Sequence, residues 1–216
     1  MTEKRKNMKL QLALDTFTLE EALKLTEELK EYVDIIEIGT PFVYEYGMEA
    51  VRRFREAFPD HEILADLKIM DAGALEAGEA FRAGADYATV LAVTDEATIQ
   101  ACVETANEFG KEMVADMMCV QNVPEKVAQL ERQGMHGIAV HTGVDQQKQG
   151  RTPLEDLKEL TALCKHAKIS AVGGIASGTI ESYTALKPEV IVVGGAIANA
   201  KDPKEEARLL SKAIRA

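Results

Sequence analysis

The sequence is poor in cysteine and in positive charge, and each shortage excludes a class of protein. Its three cysteines, Cys102, Cys119 and Cys164, are odd in number and too widely spaced for a C-x-x-C pair. This pattern predicts reduced thiols in a cytoplasmic protein rather than a disulfide framework. The formal net charge of −11 makes neither nucleic acid nor an anionic membrane surface the expected main partner.

The sequence also lacks an apolar run long enough for a signal peptide or a membrane span. Linkers and low-complexity segments are absent as well, so we expect one domain. The charged start MTEKRKN predicts a loose N-terminal extension over residues 1–7. Residues 8–216 would then form a single catalytic domain with enough chain to bury a large core.

Short β-branched runs alternate with longer amphipathic segments along this domain. Eight such pairs occur, from LQLALD with TLEEALKLTEELKEYV to EVIVVGG with PKEEARLLSKAIRA, which indicates repeated βα units. Gly84, Gly110 and Gly134 stand just before predicted strands, where left-handed residues commonly end helices. A doubly wound open sheet also alternates in this way, but eight units in about 210 residues fit a closed α/β barrel of the (β/α)8 or TIM type better.

Charged residues stand in or at the ends of several predicted strands, and chemistry in such barrels lies at the C-terminal strand ends. These residues are Asp15, Glu37, Asp66 with Lys68, Asp116 and His141. Because side chains two apart on a strand share a face, Asp66 and Lys68 are expected to point into the barrel together. Several acids around one lysine repel one another unless a cation joins them. Oxygen ligands favour Mg²⁺ over zinc as that cation.

Paired glycines follow the last two predicted strands, Gly173-Gly174 in AVGGIASGT and Gly194-Gly195 in VVGGAI. Glycine lets backbone N–H groups approach an anion closely, and (β/α)8 barrels often bind a phosphate at the loops after these strands. Turns in any fold also use glycine, so one pair alone indicates little. Two pairs at consecutive strand ends favour a phosphorylated substrate, despite the acidic composition.

The run D-L-K-I-M-D from Asp66 to Asp71 matches the D-x-K-x-x-D signature of the orotidine 5′-monophosphate decarboxylase suprafamily of phosphate-binding (β/α)8 barrels. With YVDIIEIGTP, VHTGVD and VVGGAI, the chain from Met8 onward resembles the 3-hexulose-6-phosphate synthase branch of that suprafamily. The resemblance implies a carbon–carbon lyase, an aldolase that condenses formaldehyde with D-ribulose 5-phosphate. The product would be D-arabino-hex-3-ulose 6-phosphate, formed through a metal-stabilised 1,2-enediolate in the ribulose monophosphate pathway.

The resemblance also implies roles for single residues. Glu37 and Asp66 would bind the divalent metal, Mg²⁺ with Mn²⁺ as the alternative. Lys68 would stay charged and stabilise the developing oxyanion, since a Schiff base requires a neutral amine. His141 would do general acid–base work, either removing the C1 proton or protonating the new alkoxide. Asp15 would hydrogen-bond substrate hydroxyls.

Asp71 follows the strand of Lys68 by three residues, so it is expected in the loop. In the family this aspartate crosses a two-fold interface into the partner's active site, which implies a homodimer with shared sites. Asp116 is interpreted as structural, because the family signature does not single it out. His61, His136 and His166 are given no functional role.

Two other functions remain open at this stage. The related 3-keto-L-gulonate-6-phosphate decarboxylases typically read H-R-S-R-D where this chain has His141 to Asp145, HTGVD. Val144 in place of the arginine favours the synthase. A non-catalytic sugar-phosphate binding barrel is the other alternative, since fold does not determine function, although the intact D-x-K-x-x-D run opposes it.

Overall fold

The computed structural model describes residues 8–150 and 152–216, so the predicted extension of residues 1–7 lies outside the described residues. Eight parallel strands pair in chain order, and the first also pairs with the last, which closes the sheet into a barrel. The prediction of a single (β/α)8 barrel is therefore confirmed. The strands are β1 (Lys9–Leu14), β2 (Ile35–Ile38), β3 (Glu62–Ile69), β4 (Tyr87–Leu91), β5 (Glu112–Asp116), β6 (Gly137–His141), β7 (Lys168–Val172) and β8 (Val190–Val193).

Helices follow every strand and surround the barrel. They are α1 (Leu19–Leu29), α2 (Thr40–Tyr46), α3 (Met48–Ala57), α4 (Gly73–Ala83), α5 (Glu96–Phe109), α6 (Val123–Arg132), α7 (Val144–Gln147), α8 (Leu154–Leu163), α9 (Ile180–Thr184), α10 (Gly195–Ala198) and α11 (Pro203–Arg215). The sequence pattern does not predict α2, α7 or α10, because helices of one or two turns are too short to show a 3.6-residue period. Along the described ranges, none of the helices has the length and apolar character to cross a membrane.

The alternation of β1 shows how the strands separate two cores. Leu10, Leu12 and Leu14 are fully buried between the barrel and its helices, whereas Gln11 and Ala13 point inward. This is the period of two expected of a strand with two different faces. A smaller apolar cluster lies inside the barrel; it consists of Ile35, Leu64, Tyr87, Val114, Ala139, Val190 and Val192.

A side chain just before each even-numbered strand accepts the backbone N–H at the start of the preceding odd strand. Asp34 accepts from Leu10 at 2.9 Å, Asp86 from Ile63 at 2.9 Å, His136 Nδ1 from Met113 at 3.2 Å and Glu189 from Ile169 at 2.8 Å. These bonds hold neighbouring strand starts together at the N-terminal end of the barrel. They also give His136 a structural contact, in agreement with its lack of a predicted functional role.

Asp86 has the most partners in this set. Besides the N–H of Ile63, its carboxylate contacts Lys111 Nζ at 2.6 Å and the guanidinium of Arg55. Burial alone would raise the pKa of Asp86, but the hydrogen bonds from Lys111 and Ile63 and the charge of Arg55 lower it below its ordinary value. Asp86 therefore stabilises the fold in its ionised form.

We predict that Asp86→Ala lowers the free energy of unfolding by about 2–3 kcal/mol, because one buried backbone donor and two cations lose their acceptor. Since folding lowers the pKa of Asp86, its contribution is complete above the unfolded value of about 3.9 and is lost as the pH falls further. Urea unfolding at pH 7 and pH 3 measures both effects. The exposed Asp60 provides the control substitution Asp60→Ala. Equal stability of the two variants at pH 7 would contradict the assignment.

Candidate active site

Five charged side chains from four strands meet inside the C-terminal end of the barrel. They are Glu37 of β2, Asp66 and Lys68 of β3, Asp116 of β5 and His141 of β6. The ammonium of Lys68 contacts Asp66 Oδ2 and lies 3.6 Å from Asp116 Oδ2. His141 Nδ1 lies 2.7 Å from the same Asp116 oxygen. The predicted convergence on one cavity is thus observed for these five side chains.

Lys68 reaches this cluster by a route that strand alternation does not predict. Between Ala65 and Ile69, three residues of β3 stand opposite Thr89 alone, so the strand bulges outward by two residues. Lys68 takes a φ of +49°, a left-handed conformation that is uncommon for a residue with a side chain. The prediction that Asp66 and Lys68 meet is correct, but the expected regular period of two is wrong here.

Two threonines hold the bulge and the Asp66 carboxylate in place. The Oγ1 of Thr89 accepts the backbone N–H of Lys68 at 2.9 Å and donates to Asp66 Oδ1 at 2.7 Å. The Oγ1 of Thr40, at the start of α2, lies 2.9 Å from Asp66 Oδ2 and 2.8 Å from the Asp66 carbonyl oxygen. Both carboxylate oxygens of Asp66 therefore have fixed partners. Neither role is predictable from the sequence, because threonine is common in strands and loops.

Asp116 is the residue of the cluster that sequence reasoning missed. It was interpreted as structural, yet its side chain is almost fully buried between Lys68 and His141. Burial alone would raise the pKa of Asp116, but the hydrogen bond and charge of His141 and the charge of Lys68 keep it below its ordinary value. Asp116 is therefore ionised. It joins the lysine to the histidine.

Lys68 is held in its charged form by this arrangement. Burial alone would lower the pKa of Lys68, but the negative charges of Asp66 and Asp116 raise it above the ordinary value of a lysine. An ammonium in this state is a fixed hydrogen-bond donor and a local positive charge. It is a poor nucleophile, which agrees with the expectation that no Schiff base forms.

Glu37 stands out as a buried carboxylate without a cation in contact. Burial first, and then the charge of Asp66, raises the pKa of Glu37 to about 8. The Nε2 of Gln11 donates to Glu37 Oε2 at 2.6 Å and fixes the orientation of the carboxylate. Across the described part of the chain, no three His, Cys, Asp or Glu side chains are arranged to hold a metal ion by themselves.

Asp15 lies at the exposed rim above this cluster. A Cβ at Gly39 would fall 2.1 Å from Asp15 Oδ1 and 2.7 Å from the carbonyl oxygen of Leu14, so Gly39 provides the space in which Asp15 lies. A Cβ at Gly194 would come within 3.7 Å of Asp15 Oδ2. Asp15 is thus positioned between the end of β2 and one of the two glycine pairs, near the cluster but outside its ion pairs.

The glycine pairs follow β7 and β8 as predicted. Gly173 and Gly174 adopt φ values of +114° and +67°, which L side chains rarely adopt, so glycine is required there. Gly195 begins α10, where the first backbone N–H groups have no intrahelical partner. The two loops are adjacent because β7 and β8 pair directly. These features suit an anion.

Asp71 lies in the loop after β3, as expected, and is exposed. Its Oδ1 accepts the backbone N–H of Ala72 at 2.7 Å, at the start of α4. Exposed apolar side chains occur in α2, in α4 and in the loops after β3 and β4. They are Tyr44, Met70, Leu75 and Val93, with exposures of 86%, 54%, 62% and 40%.

Known proteins share this fold and much of the sequence. A 3-hexulose-6-phosphate synthase from Staphylococcus epidermidis is 44% identical over 207 residues, which cover 96% of this chain and 99% of that protein. A second 3-hexulose-6-phosphate synthase, from Staphylococcus aureus, is 42% identical over 207 residues, which again cover 96% of this chain and 99% of that protein. The crystal structure of 3-hexulose-6-phosphate synthase from Salmonella typhimurium superposes with a TM-score of 0.95 at 48% identity and covers 96% of this chain and 98% of its own.

The comparison extends to the sister enzymes. A structure of KGPDC from Streptococcus mutans in complex with D-R5P has a TM-score of 0.89 at 26% identity, covering 96% of this chain and 97% of its own. The synthase relatives confirm the class predicted from the sequence, since the chain is an enzyme of the carbon–carbon lyase type. A family model, orotidine 5′-phosphate decarboxylase / HUMPS, matches residues 8–210. By sequence and by fold, the chain belongs to the orotidine 5′-phosphate decarboxylase / HUMPS family.

Proposed function

We propose that this chain is an aldolase that joins formaldehyde to D-ribulose 5-phosphate and forms D-arabino-hex-3-ulose 6-phosphate. The observation that carries the proposal is a buried network of ion pairs and one hydrogen bond that joins Asp66, Lys68, Asp116 and His141. The network lies at the end of the barrel that carries the two glycine loops. It places one fixed cation and one acid–base group beside a site suited to a sugar phosphate. The synthase relatives support this substrate pair. The three unpaired cysteines agree with a cytoplasmic step of the ribulose monophosphate pathway.

The phosphate and the reactive end of the sugar would bind on different strands. The backbone around Gly173, Gly174, Gly194 and Gly195 would hold the phosphate; the positive φ angles of Gly173 and Gly174 and the start of α10 at Gly195 support this placement. This placement directs the other end of the pentulose toward β2, β3 and β6. Asp15, between Gly39 and Gly194, would then accept hydrogen bonds from substrate hydroxyls.

The residues present fit a divalent metal of the Mg²⁺ type, with Mn²⁺ as the alternative. Glu37 and Asp66 are buried carboxylates, and burial together with the charge of Asp66 raises the pKa of Glu37, an effect that a bound cation would offset. Two carboxylates suffice, because Mg²⁺ commonly takes its remaining ligands from water and substrate oxygens. Bound there, the metal would act as a Lewis acid toward the substrate oxygens.

Side chains of the protein would then transfer the C1 proton and stabilise the negative charge of the enediolate. Removal of the C1 proton of the pentulose gives a 1,2-enediolate, whose negative charge the ammonium of Lys68 would stabilise. The ionised Asp116 holds Nδ1 of His141, which leaves Nε2 to exchange protons with the substrate or with the new alkoxide. Asp116 thus acts as a positioning residue for His141, as carboxylates do for histidines in other hydrolytic and lyase sites.

We also propose a homodimer in which Asp71 reaches the partner's active site. The exposed apolar residues Tyr44, Met70 and Leu75 would be covered by the second copy, since large contiguous apolar surface marks interaction sites. Asp71 is exposed next to them and forms no ion pair among the described residues. In a two-fold dimer this contact is reciprocal and forms two shared sites.

One prediction of the proposed mechanism concerns Asp116. Asp116→Asn should lower kcat by about 10²–10³-fold, because His141 loses the charge that orients its ring, while KM for ribulose 5-phosphate changes less than about threefold. Formation of the hexulose phosphate from ¹³C-formaldehyde, followed by NMR, measures both constants. Asp60→Asn serves as the matched control and should retain full activity. An active Asp116→Asn enzyme would remove Asp116 from the mechanism, and a wild-type chain without product would refute the proposed function.

A further prediction tests whether the active site is shared between two subunits, by mixing two inactive variants. Lys68→Ala and Asp71→Ala should each be inactive alone. If Asp71 acts across the interface, each mixed dimer contains one complete site, so a statistical mixture should recover about a quarter of wild-type activity. Unfolding and refolding the two chains together allows the exchange. No recovery, with mixed dimers demonstrated by native mass spectrometry, would place Asp71 in its own chain's site.

A further inference from the structure

A second cavity lies at the N-terminal end of the barrel, opposite the candidate active site. It measures about 220 Å³ and is lined by residues of all eight strands and by Glu189 before β8. The interiors of small barrels are normally filled by layers of side chains, so an open volume here is unusual. None of the residues assigned to catalysis, metal binding or phosphate binding lines it.

Two of the residues that line the cavity are small. Gly137 contributes no side chain, and Ser170 on the neighbouring β7 contributes only a hydroxymethyl group. A Cβ at Gly137 would meet Val114 Cγ2 at 3.2 Å, so even alanine fits tightly there and the free volume lies elsewhere around the ring. The walls are mostly apolar and include Ile35 and Leu64. Cavities of about 150 Å³ with apolar walls bind benzene.

Two polar groups project into this apolar space. Ser170 is 8% exposed, and its hydroxyl has no hydrogen-bond partner within residues 8–150 and 152–216. Gln11 also lines the cavity, and its Nε2 donates to Glu37, so its side chain separates the cavity from the candidate active site. The Ser170 hydroxyl is open to the cavity rather than sealed from solvent, so it can bond to a polar group that enters.

The mouth of the cavity is charged, but its charges are neutralised in pairs. Lys9 contacts Glu62 Oε1 at 2.7 Å, and Lys168 contacts Glu112 Oε1 at 2.7 Å. Lys168 also lies 5.9 Å from the centre of the Tyr87 ring. Because these ions already have partners, a charged ligand would have to break a pair to gain one. An uncharged ligand passes between them without that loss.

We propose that this cavity is a second binding site, for a small uncharged molecule with an apolar body and one hydroxyl group. The apolar body would contact Ile35, Leu64 and Val190, and the hydroxyl would bind Ser170. A molecule of the size of phenol matches the volume. The site is independent of the proposed aldolase activity, since it shares no residue with the catalytic cluster.

The test uses phenol and toluene as probes and two variants of one position. Wild-type protein should bind both, with dissociation constants of about 0.1–1 mM for molecules of this size. Ser170→Ala keeps the volume but removes the hydroxyl, so phenol should bind about fivefold more weakly while toluene is unaffected. Ser170→Leu should fill the space and abolish binding of both. Saturation-transfer NMR measures affinity, and circular dichroism verifies that each variant is folded.

The outcomes separate the alternatives. If neither probe binds wild-type protein at about 5 mM, the cavity holds water only and the proposal is overturned. Binding that persists in a folded Ser170→Leu variant places the probes elsewhere and also overturns it. If Ser170→Leu does not fold, the phenol-to-toluene ratio in Ser170→Ala decides the question, and an unchanged ratio contradicts the assigned hydroxyl contact. Aldolase activity has no bearing on any of these results.

Discussion

The ion pair between Lys68 and two buried carboxylates is the interaction on which the rest of the site depends. A lysine ammonium inside a barrel is stable only if it is paired and hydrogen-bonded, and Asp66 and Asp116 supply that pairing from two different strands. The geometry in turn requires the bulge of β3, which Thr89 holds by accepting the N–H of Lys68. Removal of either acid would leave the buried ammonium with one carboxylate instead of two.

Charged residues have different roles at the two ends of the barrel. At the N-terminal end, acceptors such as Asp34 and Asp86 tie neighbouring strands together and use their charges for stability. At the C-terminal end, Glu37 is buried with a pKa raised to about 8, which is unfavourable for the fold and suitable for a cation. Gln11 lies between the two ends of the barrel. It lines the N-terminal cavity, and its side-chain amide donates a hydrogen bond to Glu37. Stability and chemistry are thus separated along the barrel axis, as is common in this fold.

The sequence predicted the (β/α)8 architecture because eight strand-like segments with a period of two alternate with eight helical segments with a period of 3.6 residues. It also predicted the meeting of Asp66, Lys68 and His141, since residues at parallel strand ends converge when the sheet closes. The bulge was not predictable, because nothing in ILADLKIM marks two extra residues or a left-handed lysine. Asp116 is interpreted as structural from the sequence because the family signature does not single it out, and its partners Lys68 and His141 are distant in sequence and meet only in the closed barrel. Thr40 and Thr89 carried no signal beyond ordinary propensity.

The central claim is that this cluster forms and stabilises an enediolate of the pentulose phosphate before formaldehyde reacts. The most direct test is NMR of ribulose 5-phosphate in D₂O with Mg²⁺ and the purified protein, without formaldehyde. The account predicts deuterium at C1 that depends on the metal and disappears in Lys68→Ala. Hexulose phosphate formation without any exchange at C1 under these conditions would contradict it.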